Sequence, residues 1–251
     1  MTSVVIIPAR YDSTRFPGKP LYLLKGMPLI QHVYENSKLS RLADDVIVAT
    51  DSEDIFEKVH LFGGKAVMTD KKHPSGTDRV AEVAGSVNYD IIVNVQADEP
   101  LIRPQMIDDV ITILDDERAS IGTLVKKIGD PLEITDPNIV KVVFDKEGFA
   151  IYFSRAPIPY HRDEWEIRNS KFKIRNFNCY KHIGIYSYRR EILLSFAGMQ
   201  PAELEQIEKL EQLRALENGL KIKTKETYFE IYGVDTPEDL EKVKKCLSTS
   251  L

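Results

Sequence analysis

The sequence predicts an α/β fold around a mostly parallel sheet. In the first half of the chain, short apolar runs typical of buried strands alternate with helical patterns. Four strand and helix pairs follow one another: Val4–Ile7 and Leu29–Leu39, Val46–Ala49 and Ile55–Leu61, Ala66–Met68 and Val80–Val87, Ile91–Val95 and Met106–Leu114. Because each helix can carry the chain back across the sheet, successive strands are expected to run parallel.

The second half predicts an antiparallel addition to this sheet. Ile139–Phe144 and Phe149–Phe153 flank the turn sequence Asp145-Lys146-Glu147-Gly148, which indicates a hairpin. His182–Tyr188 alternates like a strand, and Pro201–Asn218 has the apolar spacing of one continuous helix. We expect one domain over residues 1–251, with 139–200 as an inserted subregion whose polar, basic part, 161–181, forms a solvated loop or an interface arm.

Composition excludes several classes of protein. The net charge of −5 disfavours a broad nucleic-acid surface, so we expect no nucleic-acid partner. Cys179 and Cys246 have neither disulfide-framework nor zinc-site spacing, which fits a reducing cytoplasm. No apolar run reaches the ~20 residues of a membrane span, and the first is too short for a signal peptide, so no membrane partner is expected.

A cationic loop follows the first strand. It contains Arg10, Arg15 and Lys19 among prolines and a glycine, with Asp12 as its only acidic residue. Ligands of open α/β sheets bind beyond the carboxyl ends of strands, where Arg and Lys can hold phosphate oxygens. The loop therefore predicts a local anion site for a polyphosphate.

Two acidic segments complement this loop. Asp98 and Glu99 directly follow the apolar run that ends at Val95, so they are expected at the carboxyl edge of the sheet. In the later segment, Thr236 can cap a helix that begins at Pro237, which leaves Asp235 without a structural role. A carboxylate that holds Mg²⁺ against a triphosphate recurs in phosphate-transfer sites, so Asp98 and Asp235 are the predicted metal ligands.

Two further stretches have both a binding and a structural interpretation. Ser75-Gly76-Thr77-Asp78-Arg79 precedes a helical pattern and can contact a nucleotide, although helix capping by Thr77 and Asp78 also explains it. Alternation places His182, Gly184 and Tyr186 on one strand face, which can receive a sugar or simply meet solvent. Motifs of P-loop, dinucleotide-binding, zinc-protease and serine-hydrolase sites are absent from the sequence.

A set of motifs that runs from end to end of the chain is typical of one enzyme family: Ile7-Pro8-Ala9-Arg10, Ser13, Arg15, Pro17-Gly18-Lys19-Pro20-Leu21, Ala49-Thr50-Asp51, Ser75-Gly76-Thr77-Asp78-Arg79, Val93-Asn94-Val95-Gln96, Asp98-Glu99-Pro100, Tyr152-Phe153-Ser154-Arg155, His182-Ile183-Gly184-Ile185-Tyr186, Leu210-Glu211-Gln212-Leu213-Arg214 and Gly233-Val234-Asp235-Thr236-Pro237-Glu238-Asp239-Leu240. In these motifs the chain resembles the 3-deoxy-manno-octulosonate cytidylyltransferase family. One departure is visible, since the family usually has Gly where Ala97 stands.

The resemblance implies a Rossmann-like nucleotidyltransferase fold, a homodimer, and transfer of CMP from CTP to 3-deoxy-manno-octulosonate (Kdo) for lipopolysaccharide synthesis in the cytoplasm. It implies that residues 139–200 serve sugar binding and dimerisation. By the same resemblance, the residue roles are as follows: Arg10, Ser13, Arg15 and Lys19 hold the triphosphate; Ser75, Gly76 and Arg79 hold the cytidine; Asp98 and Asp235 bind Mg²⁺; and Gln96, Arg155, His182, Tyr186, Glu211 and Gln212 line the sugar pocket.

The predicted reaction is attack of the sugar's anomeric hydroxyl on the α-phosphorus of CTP, with Asp98, Asp235, Lys19 and Arg10 as the catalytic residues. Positioning and charge neutralisation would do most of the catalysis, and His182 is assigned to sugar binding rather than to general-base catalysis. Three alternatives stay open: a CMP-sialate synthetase, whose loop more often has Lys-Asn in place of Lys19-Pro20, an enzyme for an 8-amino Kdo analogue, and a nucleotide-binding module without catalysis.

Overall fold

The computed structural model describes residues 1–12, 16–162, 167–168, 171–172 and 178–249. Nine strands form the main sheet: β1 (Ser3–Ala9), β2 (Asp45–Thr50), β3 (Ala66–Met68), β4 (Ile91–Asn94), β5 (Ile121–Lys127), β6 (Lys141–Phe144), β7 (Ala150–Ser154), β8 (Tyr180–Arg189) and β9 (Ile222–Glu226). The helices are α1 (Leu29–Lys38), α2 (Glu53–Leu61), α3 (Gly76–Ser86), α4 (Pro104–Ile113), α5 (Leu132–Thr135), α6 (Arg190–Ala197), α7 (Glu203–Glu208), α8 (Gln212–Glu217) and α9 (Pro237–Thr249).

The predicted mixed sheet is confirmed. Its order is β9-β5-β8-β4-β1-β2-β3, with β1 parallel to both β2 and β4. β8 is antiparallel to β4 and β5 and also pairs with β6, which forms the predicted hairpin with β7. The region 139–200 is thus continuous with the main sheet through β8, and its role in sugar binding and dimerisation stays a prediction.

Helices cover both faces of the sheet because the residues of β1 alternate between two hydrophobic clusters. Val5 and Ile7 face one cluster that includes buried side chains of α1, α2 and α4. Val4 and Ile6 face the other, together with α3, α6 and α8. A strand buried on both faces reads as a continuous apolar run, which is why β1 was recognisable in the sequence.

The continuous helix predicted over Pro201–Asn218 is wrong. The chain forms α7 and α8, separated by Lys209 in the left-handed conformation with φ 54°. In one continuous helix Ile207 would share an apolar face with Leu210 and Leu213, but its side chain is 67% exposed, whereas Leu210 and Leu213 are buried. The broken helix leaves carbonyl groups at the end of α7 that Arg155 satisfies, as described below.

Two local predictions are confirmed. The Asp145–Gly148 turn closes the β6–β7 hairpin, with Gly148 at φ 86° and the Asp145 carboxylate accepting from the Glu147 and Phe149 N–H groups. Thr236 caps α9, since its hydroxyl accepts from the N–H of Asp239 at 3.2 Å. No helix in the described part of the chain is both long and apolar enough to cross a membrane.

Candidate active site

A cavity of about 220 Å³ lies at the carboxyl edge of β1 and β4. Eight of the residues predicted for the site line it: Arg10, Lys19, Ser75, Gly76, Arg79, Gln96, Asp98 and Asp235. Ser13 and Arg15, predicted for the triphosphate, lie outside the described residues. The parallel pairing of β1 with β4 explains part of this convergence, because the loops that follow both strands leave the sheet on the same side.

Lys19 joins the two predicted metal ligands. Its Nζ lies 2.5 Å from Oδ2 of Asp98 and 3.2 Å from Oδ1 of Asp235. The three residues come from segments that are far apart in sequence, and the two carboxylates are both within reach of one cationic atom. Opposite charges are therefore concentrated at this wall of the cavity, where a polyphosphate and a divalent cation can be held together.

A small hydrophobic cluster and one backbone hydrogen bond position this charged group. Phe16 and Leu24 flank Lys19 in sequence and pack with Val234 and Leu240, which flank Asp235. The N–H of Val234 donates to the carbonyl oxygen of Asp98 at 2.9 Å. Burial of these apolar side chains brings the first loop and the C-terminal segment together.

The donor set fits a magnesium ion bound together with substrate phosphates. Among the described residues no group of three or more His, Cys, Asp or Glu side chains could hold a metal, so a site made of protein ligands alone is not present there. Mg²⁺ is commonly held by one or two carboxylates while phosphates and water complete its coordination. Asp98 and Asp235 provide that number of carboxylates at the cavity wall.

The beginning of α3 forms another wall of the cavity. Ser75 caps this helix, since its hydroxyl accepts from the N–H of Asp78 at 3.1 Å. The alternative explanation of this stretch, capping by Thr77 and Asp78, does not hold in that form, because both residues lie within α3 and Ser75 is the N-cap. Gly76 is the first helical residue, and helix N-termini of this kind favour bound anions because their N–H groups point outward.

Arg79 is held by protein carboxylate and hydroxyl groups below this helix start. Its guanidinium lies 2.6 Å from Oδ2 of Asp51 and also donates to the hydroxyl of Thr69. Arg79 is buried, whereas Arg10 on the cavity rim is exposed.

A second cavity, of about 510 Å³, adjoins the first and shares Arg10, His73 and Arg79 with it. Asp51 also lines that cavity, and only its place in the Ala49-Thr50-Asp51 motif pointed to it in the sequence.

His182 and Tyr186 share one face of β8, as alternation predicted, with their ring centroids 5.2 Å apart. Nε2 of His182 lies 2.9 Å from the hydroxyl of Thr123, which itself lies 2.8 Å from the carbonyl oxygen of Ile185. If this hydroxyl donates to that carbonyl, Nε2 carries the imidazole proton and Nδ1 is left to accept a hydrogen bond. Burial lowers the pKa of His182 from 6.5 to about 3, so the ring is neutral at ordinary pH and is a weak base.

The neutral state of His182 predicts a pH-dependent loss of stability. In the unfolded chain the imidazole gains a proton below about pH 6.5, whereas in the folded protein it stays neutral down to about pH 3. The free energy of unfolding is therefore expected to fall as the pH drops below 6.5. Denaturant unfolding at a series of pH values should show a shallower fall for His182→Gln, and equal slopes for variant and wild type would contradict the lowered pKa of this ring.

Glu211 links the predicted nucleotide loop to the predicted sugar pocket. Its Oε2 accepts from the hydroxyl of Thr77 at 2.5 Å, and its Oε1 lies 3.3 Å from the guanidinium of Arg214. Burial raises the pKa of Glu211 although both partners oppose the change. Its neighbour Gln212 is buried at the start of α8. The break between α7 and α8 thus places Glu211 beside α3.

Arg155 has a structural task that sequence reasoning did not foresee. Its guanidinium donates to the carbonyl oxygens of Glu208 at 2.8 Å, Pro137 at 2.8 Å and Lys209 at 3.4 Å. The bonds to Glu208 and Lys209 satisfy carbonyl groups where α7 ends, and the bond to Pro137 ties this end to the segment before β6. The predicted sugar contact of Arg155 stays a prediction.

Glu99 is the sequence neighbour of Asp98, but the two side chains lie in different surroundings. Asp98 lines the cavity, whereas Glu99 is buried, and its Oε2 has no hydrogen-bond partner among the residues that the structure describes. Burial and the neighbouring charge of Asp98 raise the pKa of Glu99 well above its usual range.

Ala97, the departure from the family pattern, is 7% exposed and belongs to the larger hydrophobic cluster around α1, α2 and α4. Ala97→Gly is expected to lower the free energy of unfolding by about 1 kcal/mol, through lost packing and added backbone freedom. Thermal unfolding measures this change. The kcat/KM ratio between Kdo and its 8-amino analogue is expected to stay constant, and a shifted ratio without loss of stability would instead assign Ala97 a role in specificity.

Comparison with known proteins adds to this geometry. The sequence model of one family, described as "Cytidylyltransferase", matches residues 4–222. The chain is 53% identical to the 3-deoxy-manno-octulosonate cytidylyltransferase of Thermodesulfovibrio yellowstonii, over 99% of both chains. It is 55% identical to the protein of that name from Geotalea uraniireducens, over 97% of this chain and 98% of the relative.

Solved structures show the same relationship. A CMP:2-keto-3-deoxy-manno-octonic acid synthetase complexed with CTP superposes with a TM-score of 0.92 at 42% identity, over the full length of both chains. A glucose-1-phosphate thymidylyltransferase from Bacillus anthracis, described as putative, superposes with a TM-score of 0.65 at 15% identity. The second similarity concerns the fold alone.

Proposed function

The chain belongs to the cytidylyltransferase family, and from this premise we propose that it transfers the cytidylyl group of CTP to Kdo. The observation that carries the proposal is the convergence of Lys19, Asp98 and Asp235 at one wall of a cavity whose other wall is the start of α3. The names of its relatives and the CTP complex of its structural neighbour support the same substrates.

In this reaction the anomeric hydroxyl oxygen of Kdo bonds to the α-phosphorus of CTP. The bond from that phosphorus to the oxygen bridging to the β-phosphate breaks, pyrophosphate leaves, and the hydroxyl proton is released. Lys19 and Arg10 would hold phosphate oxygens by charge-assisted hydrogen bonds, and the N–H groups at the start of α3 would face the nucleotide. These residues act by orienting the two substrates and by stabilising charge that develops on the phosphates.

Asp98 and Asp235 would hold Mg²⁺, which when bound supplies charge neutralisation on the phosphates and a lower pKa for a nearby hydroxyl. His182 would orient the sugar through Nδ1, since a ring with a pKa of about 3 is neutral at neutral pH and leaves one of its two nitrogens without a proton. Tyr186 lies beside it on the same face of β8, which gives the sugar an aromatic surface next to a hydrogen-bonding group.

The proposal extends to the setting of the enzyme. CMP-Kdo would feed lipopolysaccharide synthesis, the enzyme would work in the cytoplasm, and it would act as a homodimer that uses residues 139–200. Much of 161–181, the predicted arm, lies outside the described residues.

Pyrophosphate release tests the proposed function directly. The purified protein is incubated with CTP, Mg²⁺ and one of three acceptors: Kdo, the 8-amino Kdo analogue or sialate. We expect Kdo to give the highest kcat/KM. Preference for another acceptor would replace Kdo in the proposal, and CTP binding without turnover of any acceptor would indicate a binding module that has lost catalysis.

A further inference from the structure

The buried carboxyl group of Glu99 lies against β8. Glu99 is 8% exposed, and a Cβ placed on Gly184 would lie 3.6 Å from its Oε1. Gly184 stands between His182 and Tyr186, the two residues of the proposed sugar face, and all three are half-buried. The Glu99 side chain therefore reaches from the turn that carries Asp98 to the gap in this face.

The fold does not explain this carboxyl group. A buried polar atom is normally hydrogen-bonded, and leaving it without a partner costs stability. Oε2 of Glu99 and Oγ of Ser37 are the only buried side-chain atoms of this kind in the described part of the chain. An apolar side chain of similar length would fill the same space without that cost, so the carboxyl group has another use.

Gly184 indicates that this use involves a ligand. At 3.6 Å from Oε1, a Cβ on Gly184 would be in ordinary van der Waals contact with Glu99, so packing between the two residues does not require a glycine. A missing side chain on the proposed sugar face leaves room for a ligand to approach both the strand and the Glu99 carboxyl group.

The charges nearby select the chemical class of the partner. Asp98 is adjacent to Glu99 in sequence, and the charges of Glu211 and Glu99 both act on Tyr186 in the direction that raises its pKa, so an anionic group of a ligand would be repelled there. The hydroxyl groups of a sugar acid are neutral and can donate to a carboxyl oxygen.

We propose that Glu99 is a further binding residue for the acceptor sugar, taking a hydrogen bond from one of its hydroxyl groups at the Gly184 gap. The proposal deepens the proposed function and rests on it. Glu99 would contribute this hydrogen bond to sugar binding, whereas without a bound sugar its carboxyl group is left unsatisfied in the fold. Glu99 is therefore expected to favour function at the expense of stability.

Two variants of Glu99 and one control test the proposal. Glu99→Gln keeps a hydrogen-bonding oxygen, Glu99→Met keeps the length without one, and Ser37→Ala removes the other unpartnered atom, which lies on α1. KM for Kdo and for CTP, direct binding of Kdo by calorimetry and the melting temperature are measured for each. Wild-type turnover of Kdo tests the proposed function by itself, and the ratio of variant to wild type tests Glu99.

For Glu99→Met we expect a KM for Kdo at least ~10-fold higher, an unchanged KM for CTP and a melting temperature equal to or above that of the wild type. Glu99→Gln should restore most of the Kdo affinity, and Ser37→Ala should leave both KM values unchanged. The variant is also titrated with Kdo analogues that each lack one hydroxyl group. For one of these analogues, the affinity of Glu99→Met should equal the affinity of the same variant for Kdo. A lower melting temperature with equal effects on both substrates would show a structural role and overturn the proposal, as would unchanged Kdo affinity in Glu99→Met.

Discussion

Asp98→Asn and Asp235→Asn are each expected to lower turnover by at least ~100-fold while the protein stays folded, the order of effect seen when a charge-stabilising group is removed from a transition state. Both carboxylates converge on Nζ of Lys19 at the cavity wall. Asparagine keeps the size of the side chain but removes the negative charge on which binding of a divalent cation depends. The loss should therefore appear in catalysis rather than in stability.

Steady-state pyrophosphate release measures turnover, and binding of Mn²⁺ in the presence of CTP gives a second readout that does not depend on chemistry. Asp90→Asn is the matched control, because Asp90 precedes the opposite end of β4, where its carboxylate accepts from the N–H of Thr2 at 2.7 Å. This control should lose some stability and keep its turnover. Near-normal turnover of Asp98→Asn or Asp235→Asn at ordinary Mg²⁺ concentrations would rule out the two-aspartate metal site.

Lys19→Met is expected to weaken CTP binding by about 10- to 100-fold, the range for losing a hydrogen bond between charged groups. Lys19 is largely buried, and its ammonium group is aimed into the cavity by contacts with Asp98 and Asp235. Without that ammonium group, the two carboxylates should bind Mn²⁺ more tightly in the absence of nucleotide, because the competing cation has been removed. Affinity for free Kdo should change little.

Calorimetric titrations of CTP, Kdo and Mn²⁺ separate these effects. Lys65→Met is the control, since Lys65 pairs with Asp45 at the amino end of β2, away from the cavity, and its side chain is 64% exposed. Unaltered CTP affinity in Lys19→Met would contradict the assignment of the first loop to the triphosphate.

The strands and most of the helices could be predicted because their signals are local. Ala66–Met68 is β3 at its predicted bounds, and the turn at Asp145–Gly148 closes the hairpin as expected. The prediction of one continuous helix over 201–218 was wrong because it used a local signal alone. Its apolar spacing is periodic, but the left-handed Lys209 and the capping of α7 by Arg155, 53 residues away, depend on contacts that periodicity does not report.

The candidate site shows the same contrast between local signals and contacts of remote segments. By itself the sequence determined which residues carry charge beyond the strand ends, because strands end locally and parallel strands share an edge: Arg10, Lys19 and Asp98 were identified in this way. Asp235 was identified because helix capping by Thr236 leaves it without a structural role, and the motifs around these residues indicated the family. Only the tertiary structure decided how their neighbours are used. It separated Glu99 from Asp98, paired Thr77 with Glu211 and left His182 neutral, since burial, desolvation and hydrogen bonding between remote segments depend on packing in three dimensions.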